Sequence, residues 1–188
     1  LREEVEKCTL CPLHKSRTKV VFGDGNPHSK IFLIGEGPGH EEDKTGKAFV
    51  GRSGQLLDKI LLACNFSREQ HVFIGNIVKC RPPGNRTPTT EEQATCLPYL
   101  EKQIELISPS IIVCLGATAL QALLGKNLKI TKERGNWQLW LNRFVMPTYH
   151  PSALLRNPNL KKETWEDFKK IVLKYREIVN PDHDCKYI

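Results

Sequence analysis

Long apolar runs are missing from this 188-residue sequence. None approaches the ~18 residues that a membrane-spanning helix needs, so a transmembrane helix is excluded. The opening LREEVEKCTLC has no apolar signal-peptide core, and nothing in it points to secretion. The seven cysteines are too few and too unevenly spaced for a secreted disulfide scaffold, which leaves a reducing, cytoplasmic compartment as the expectation. Internal repeats and low-complexity linkers are absent too. Residues 1–188 suit a single domain, with NPDHDCKYI at 180–188 as a C-terminal tail. Acidic residues are in deficit: 28 Lys plus Arg against 21 Asp plus Glu give a formal charge of +7, which suits an anionic partner such as nucleic acid. With 39% hydrophobic and 26% charged residues, wholesale disorder is excluded.

Three short β-rich apolar runs, at 30–34 (KIFLI), 71–78 (HVFIGNIV) and 110–115 (SIIVCL), read as buried strands. Between them lie helical patterns. Leu56, Leu57, Ile60 and Leu61 share one face, and Leu100, Ile104 and Ile107 share another after a Thr-rich start at Thr89 and Thr90. Pro98 stands against the second helix, because an interior proline removes a hydrogen bond. A third helix follows at 117–124, then irregular or hairpin structure at 130–140, a strand-like 143–147 and a last amphipathic helix at 161–178. Strands alternating with helices imply mostly parallel strands with right-handed crossovers, an α/β/α sandwich in three layers. The polar loops at 35–53 and 81–90, and the one holding His150, follow predicted strands. Chemistry is expected there, since open α/β sheets bind ligands beyond the carboxyl ends of their strands.

Cys8 and Cys11 form a CxxC, and Cys80 and Cys96 flank a proline-rich stretch. Four thiolates with one tight pair suit either zinc or an iron-sulfur cluster, and spacing alone does not choose between them. Cys114 sits in an apolar strand and Cys64 ends an apolar helix, so both read as small core hydrophobes, while Cys185 falls in the tail without a structural role.

The glycine-rich GEGPGHEEDKTGKAFVG at 35–51 is neither a dinucleotide fingerprint, because Pro38 interrupts it, nor a P-loop, because Gly-Lys-Ser/Thr is absent. It offers close backbone approach at Gly35, Gly37 and Gly39, a carboxylate at Glu36, an acidic run at Glu41, Glu42 and Asp43, and an aromatic ring at Phe49. The acidic run reads first as a solvated surface and Phe49 as core packing. Asn76 interrupts an apolar strand, where a polar side chain must find partners; it either braces a loop or offers its donor and acceptor to the edge of a base. His150 is followed by Pro151 and Ser152, which fix its direction at a strand end.

Taken as a set, GEGPG with EEDKTGKAFVGRSG, NIVKCRPP, the four-cysteine pattern and HPSALLRNP resemble the fourth family of uracil-DNA glycosylases, the iron-sulfur class, over residues 8–178. That resemblance implies a four-stranded parallel sheet flanked by helices and a 4Fe-4S cluster on Cys8, Cys11, Cys80 and Cys96. It also implies base excision repair on uracil-containing DNA, single- or double-stranded, by a monomer. A related covalent branch carries a basic, His-containing insertion after the Asn strand; CRPPGNRTP lacks it, which disfavours crosslinking. His40 stands where the family pattern has an acidic residue.

The implied site places Glu36 and His150 in catalysis, with Gly37, Glu42, Phe49, Asn76 and Ser152 binding substrate. Phe49 stacks on a flipped uracil, Asn76 pairs with its N3 and O4, and His150 donates to O2 as that oxygen becomes anionic. Better-known relatives have a water-activating Asp at the position of Gly37. Glu36 is therefore expected to position water or support the sugar cation, with Glu42 or Asp43 as substitutes. Leu154 or Leu155 would wedge into the vacated stack and Arg156 contact phosphate, with plain core packing the alternative for both leucines. Two rivals remain at this level: a non-catalytic module for uracil-containing or single-stranded DNA, and a zinc-stapled nucleic-acid-binding protein.

Overall fold

The structure is a computed structural model describing residues 1–188. Strands β1 (Asp24–Gly25), β2 (Ile31–Gly35), β3 (Val72–Asn76), β4 (Ile111–Leu115), β5 (Gln138–Trp140) and β6 (Arg143–Thr148) form one sheet in the order β1-β3-β2-β4-β6-β5. The four central strands are parallel, as expected, and the two edge strands pair antiparallel. Six strands rather than four is a correction. β1 is only an Asp-Gly pair with no apolar run to betray it, and β5 is the first arm of a hairpin whose turn residues Leu141 and Asn142 take φ of 47° and 59°.

Both faces of the parallel strands are buried, which their near-continuous apolar sequences require. Ile31 and Leu33 point to one core with Leu57 and Leu61 of α3 (Arg52–Ala63) and Phe168, Ile171 and Val172 of α8 (Leu160–Ile178). Phe32 and Ile34, one residue out of phase, point to the other core. There they meet Leu100 and Ile104 of α4 (Thr90–Ile107) and Leu120 of α5 (Ala117–Leu124). The remaining helices are α1 (Arg2–Glu6), α2 (His40–Thr45), α6 (Ile130–Glu133) and α7 (Pro151–Arg156). α4 runs straight through Pro98, its start fixed by a capping box between Thr89 and Glu92. No helix is long and apolar enough to cross a membrane.

The segment 180–188 packs rather than trailing as a tail. His183 is stacked on Phe66 with ring centroids 4.6 Å apart, and its Nε2 meets the Cys64 carbonyl at 2.9 Å. Cys185 is buried beside α3, so its expected lack of a structural role is corrected.

Candidate active site

Gly35, Asn76, Leu115 and Thr148 end the four parallel strands on one edge of the sheet. From β2 the chain crosses to β3 on one side and later to β4 on the other, and this topological switch opens a crevice. A cleft of about 700 Å³ lies there, walled by the loops that follow these strands. It collects Glu36, Gly37, Glu42, Phe49, Asn76, His150, Ser152 and Arg156 from three separate stretches of chain.

Asn76 is 1% exposed, and its Oδ1 has no hydrogen-bond partner. A buried acceptor left unpaired costs stability, so this atom marks a place for a ligand donor. Glycine at 35 is required by what surrounds it: a Cβ there would lie 2.6 Å from both Asn76 Oδ1 and the Phe49 ring. Phe49 itself is held at φ 53°, in the left-handed region that disfavours side-chain-bearing residues. Arg68 braces this conformation by donating to the Ala48 and Phe49 carbonyls at 2.7 and 2.5 Å while its other donors reach Asp58 and Asp24.

His150 caps α7 and lies beside Phe49, ring centroids 5.5 Å apart and 34° from coplanar. The Ser152 backbone N–H donates to His150 Nδ1 at 3.0 Å. A backbone amide only donates, so Nδ1 is the acceptor and the ring proton sits on Nε2, which no protein group takes up. Burial pushes the His150 pKa down to about 4, with Arg156 adding to the depression and Glu42 opposing it. The site therefore presents a neutral imidazole with one N–H donor, flanked by an aromatic face and an unpaired amide oxygen.

Of the carboxylates, Glu36 accepts a 2.5 Å hydrogen bond from Thr118 Oγ1 and lines the cleft. Glu42 Oε1 accepts from the Val50 and Gly51 amides, both at 2.8 Å, which folds the glycine-rich loop back on α2 beside the cleft. Asp43 is turned away: its Oδ1 binds the Thr18 amide at 2.8 Å, so it does not serve as a substitute for Glu36. Gly37 has no room for a side chain, because a Cβ would come within 2.8 Å of Val78 Cγ2.

At the rim, Arg156 ends α7 and Leu155 is 39% exposed. Leu154 is 1% exposed and belongs to the core, which removes it as a wedge. Sequence reasoning passed over Thr118, Asn85 and Arg86, all of which line the cleft. Asn85 Oδ1 accepts from Arg81 Nε at 2.7 Å, and Arg86 forms a two-bond fork with Glu92 at 2.8 and 2.7 Å. Asn85 and Arg86 lie in the loop at 81–90 already marked as polar after a strand; Thr118 follows a strand end at LGAT, a signal of the same kind.

Away from the cleft, Cys8, Cys11, Cys80 and Cys96 line one small pocket with Arg17, Lys79 and Tyr99. Arg17 donates to Cys80 Sγ at 3.1 Å and to the Cys8 carbonyl at 2.8 Å. Burial pushes the Cys96 thiol up to about 11, partly offset by Lys79. Thiols gathered round one pocket, Cys80 and Cys96 buried and Cys8 and Cys11 half-buried, suit a group that takes them as thiolates. Four cysteines round one pocket are a donor set that a metal centre held by thiolates, such as an iron-sulfur cluster, would use.

Residues 22–169 match the Uracil DNA glycosylase superfamily, which defines the class of protein to which this fold and cleft correspond. Relatives narrow it. The chain is 55% identical to a type-4 uracil-DNA glycosylase of Thermotoga maritima over 172 residues, covering 89% of each chain. It is 45% identical to that of Sulfurisphaera tokodaii, covering 91% of this chain and 81% of the other, and 44% identical to that of Saccharolobus solfataricus, covering 91% and 83%. The chain belongs to the type-4 uracil-DNA glycosylase family.

Proposed function

We propose that this protein hydrolyses the N-glycosidic bond of deoxyuridine in DNA, releasing uracil and leaving an abasic site in base excision repair. The observation that carries this reading is the convergence, in one strand-end cleft, of the unpaired Asn76 Oδ1, the Phe49 ring and the free His150 Nε2–H. It agrees with the names of the type-4 relatives.

A base inside a duplex is out of reach of such a cleft, so the nucleotide must flip out of the stack. Phe49 then offers its face to the pyrimidine. Asn76 Oδ1 accepts from uracil N3–H, and the amide N–H₂ donates to O4. Cytosine, with an acceptor at N3 and an amine at position 4, meets the wrong partners. As the bond breaks, negative charge gathers on O2, where the neutral imidazole donates from Nε2; an imidazole that starts neutral need not lose a proton first. Glu36, steered by Thr118, faces the positive sugar and orients water. No lysine lines the cleft, so base removal occurs without the amine attack that leads to strand cleavage. The +7 charge, Arg86 and Arg156 serve the phosphates, and exposed Leu155 fills the space left by the base. All groups invoked come from one chain, so a monomer suffices.

Cys8, Cys11, Cys80 and Cys96 would hold a 4Fe-4S cluster that ties the N-terminal segment to the middle of the chain, a structural role. Incubation with a uracil-containing oligonucleotide followed by alkali, which cleaves at abasic sites, tests the reading. Strand breaks at uracil alone are expected. A protein that binds this DNA and releases no uracil under single-turnover conditions is a binding module instead.

A further inference from the structure

Lys79 is the only buried lysine of the protein, at 1% exposure, and no carboxylate pairs with it. Burying an ammonium without hydrogen bonds is prohibitive, so its partners report what it holds. Nζ donates to the Asn76 backbone carbonyl at 2.8 Å and to Gln103 Oε1 at 2.5 Å. Gln103, on α4, donates in turn to the Phe22 carbonyl at 2.8 Å, so the lysine is anchored to a rigid helix rather than a loop. At its other end, Lys79 lines the pocket that gathers the four cysteines, and Cys80 is the next residue. Asn76 is the last residue of β3, and just beyond it the Ile77 N–H donates to the Gly35 carbonyl at 2.9 Å. The peptide between Asn76 and Ile77 is thus held at both groups, its N–H by Gly35 and its carbonyl by Lys79, and with it the direction of the Asn76 amide.

We propose that Lys79 is a positioning residue for base recognition: with its backbone joined to Cys80 in the four-cysteine pocket and its side chain on the Asn76 carbonyl, it sets the base-reading amide against the four-cysteine group. The inference rests on the proposed roles of Asn76 and of the cysteines. It adds that the cysteine group supports recognition as well as the fold. Residues that line a metal site commonly connect it to its surroundings in this way.

The test uses the iron-loaded protein and K79M, which keeps the length of the side chain and removes its donors. Single-turnover uracil release should slow about tenfold, within the usual range for coupling between sites. Iron content, visible absorbance and affinity for abasic-site DNA, which offers no base to read, should stay parental. Against N76A, the double variant N76A/K79M should be no more than about twofold slower, since both changes remove one interaction. Q103M, which removes the anchor from a different helix, should act in the same direction and serves if K79M does not fold. Parental rates in K79M or Q103M, a slowing that simply multiplies with that of N76A, or loss of iron from K79M would each overturn the proposal. If N76A itself works at the parental rate, or the parent holds no iron, it is the proposed function that fails.

Discussion

Three histidines of this protein lie against phenylalanine rings, and only one of them faces a cleft. His150 and Phe49 sit 5.5 Å apart at the strand ends; His183 and Phe66 sit 4.6 Å apart where the C-terminal segment meets α3. Around His183 the ring is packed: Nε2 is bonded to the Cys64 carbonyl, and Tyr175 and His71 close the ring edges at 5.1 and 5.5 Å. Around His150 the pairing stops halfway, with Nδ1 occupied by Ser152 and Nε2 open to the cleft. The difference lies in what the rest of the ring meets. A ring packed on its face and edges by Phe66, His71 and Tyr175 stabilises the fold, whereas one whose N–H donor opens on a cleft, beside an unpaired amide oxygen, is arranged for something not yet bound.

The largest expected effect separates the two regions directly. His150→Ala should slow single-turnover uracil release on the order of a hundredfold, the loss of ~3 kcal/mol typical of a donor aimed at developing negative charge. Affinity for uracil-containing DNA should stay within a few-fold. His183→Ala should leave the rate alone and lower unfolding free energy by about 1–3 kcal/mol through the lost carbonyl bond and stacking. Denaturant titration alongside kinetics reads both; a slow His183→Ala or a normal-rate His150→Ala would erase the distinction. Next in size is Asn76→Asp. Its carboxylate lacks the amide donor that O4 needs, so uracil release should fall at least tenfold while some cytosine release is gained, an inversion no purely structural asparagine would give.

The four-cysteine pocket, proposed to hold a cluster, should behave differently from either histidine region, because its stability would depend on the bound group. Cys80→Ser should lose iron and melt several degrees lower, and rate and stability should fall together rather than separately. Iron by elemental analysis and a melting curve check it. Full iron with unchanged melting would remove the assignment, and zinc in freshly prepared protein would replace it. A smaller effect is expected from Arg68→Met, which frees the carbonyls of Ala48 and Phe49. Phe49 at φ 53° then lacks its brace, and uracil release should slow several-fold with little change in DNA affinity.

The strands that place the cleft were readable because each is a compact apolar run, and the loops after them stood out by glycine and polarity. The sheet edges were not, since an Asp-Gly pair and a three-residue strand carry no periodicity. Pro98 argued against a helix that tertiary packing on Leu100 and Ile104 supports regardless. The parts of the cleft that escaped the sequence depend on contacts between distant residues. Thr118 meets Glu36 across 82 positions, and Arg68 reaches Phe49 across 19. Leu154 and Leu155 are alike in sequence and differ only in which side of a short helix meets the core.

The smallest expected effect concerns acid, and it tests whether the two histidine regions differ in chemistry as well as in geometry. Burial lowers the His150 pKa to about 4, and it also lowers that of His71, with His183 as the second cause. A folded-state pKa below the unfolded value means the unfolded chain binds more protons, so stability declines as pH falls below about 6.5 and, for His150, goes on declining to about 4. Both regions thus contribute to the same acid destabilisation. Only one touches the chemistry. Because His150 stays neutral through this window, its Nε2–H donor should persist, and uracil release per folded molecule should show no loss from His150 down to about pH 5. Histidine-selective ¹⁵N spectra should report an unchanged Nε2–H tautomer over that range. A titration of His150 with a midpoint near pH 6.5, matched by an acid limb in the rate, would mean that the ring starts charged and that the neutral-donor mechanism is wrong.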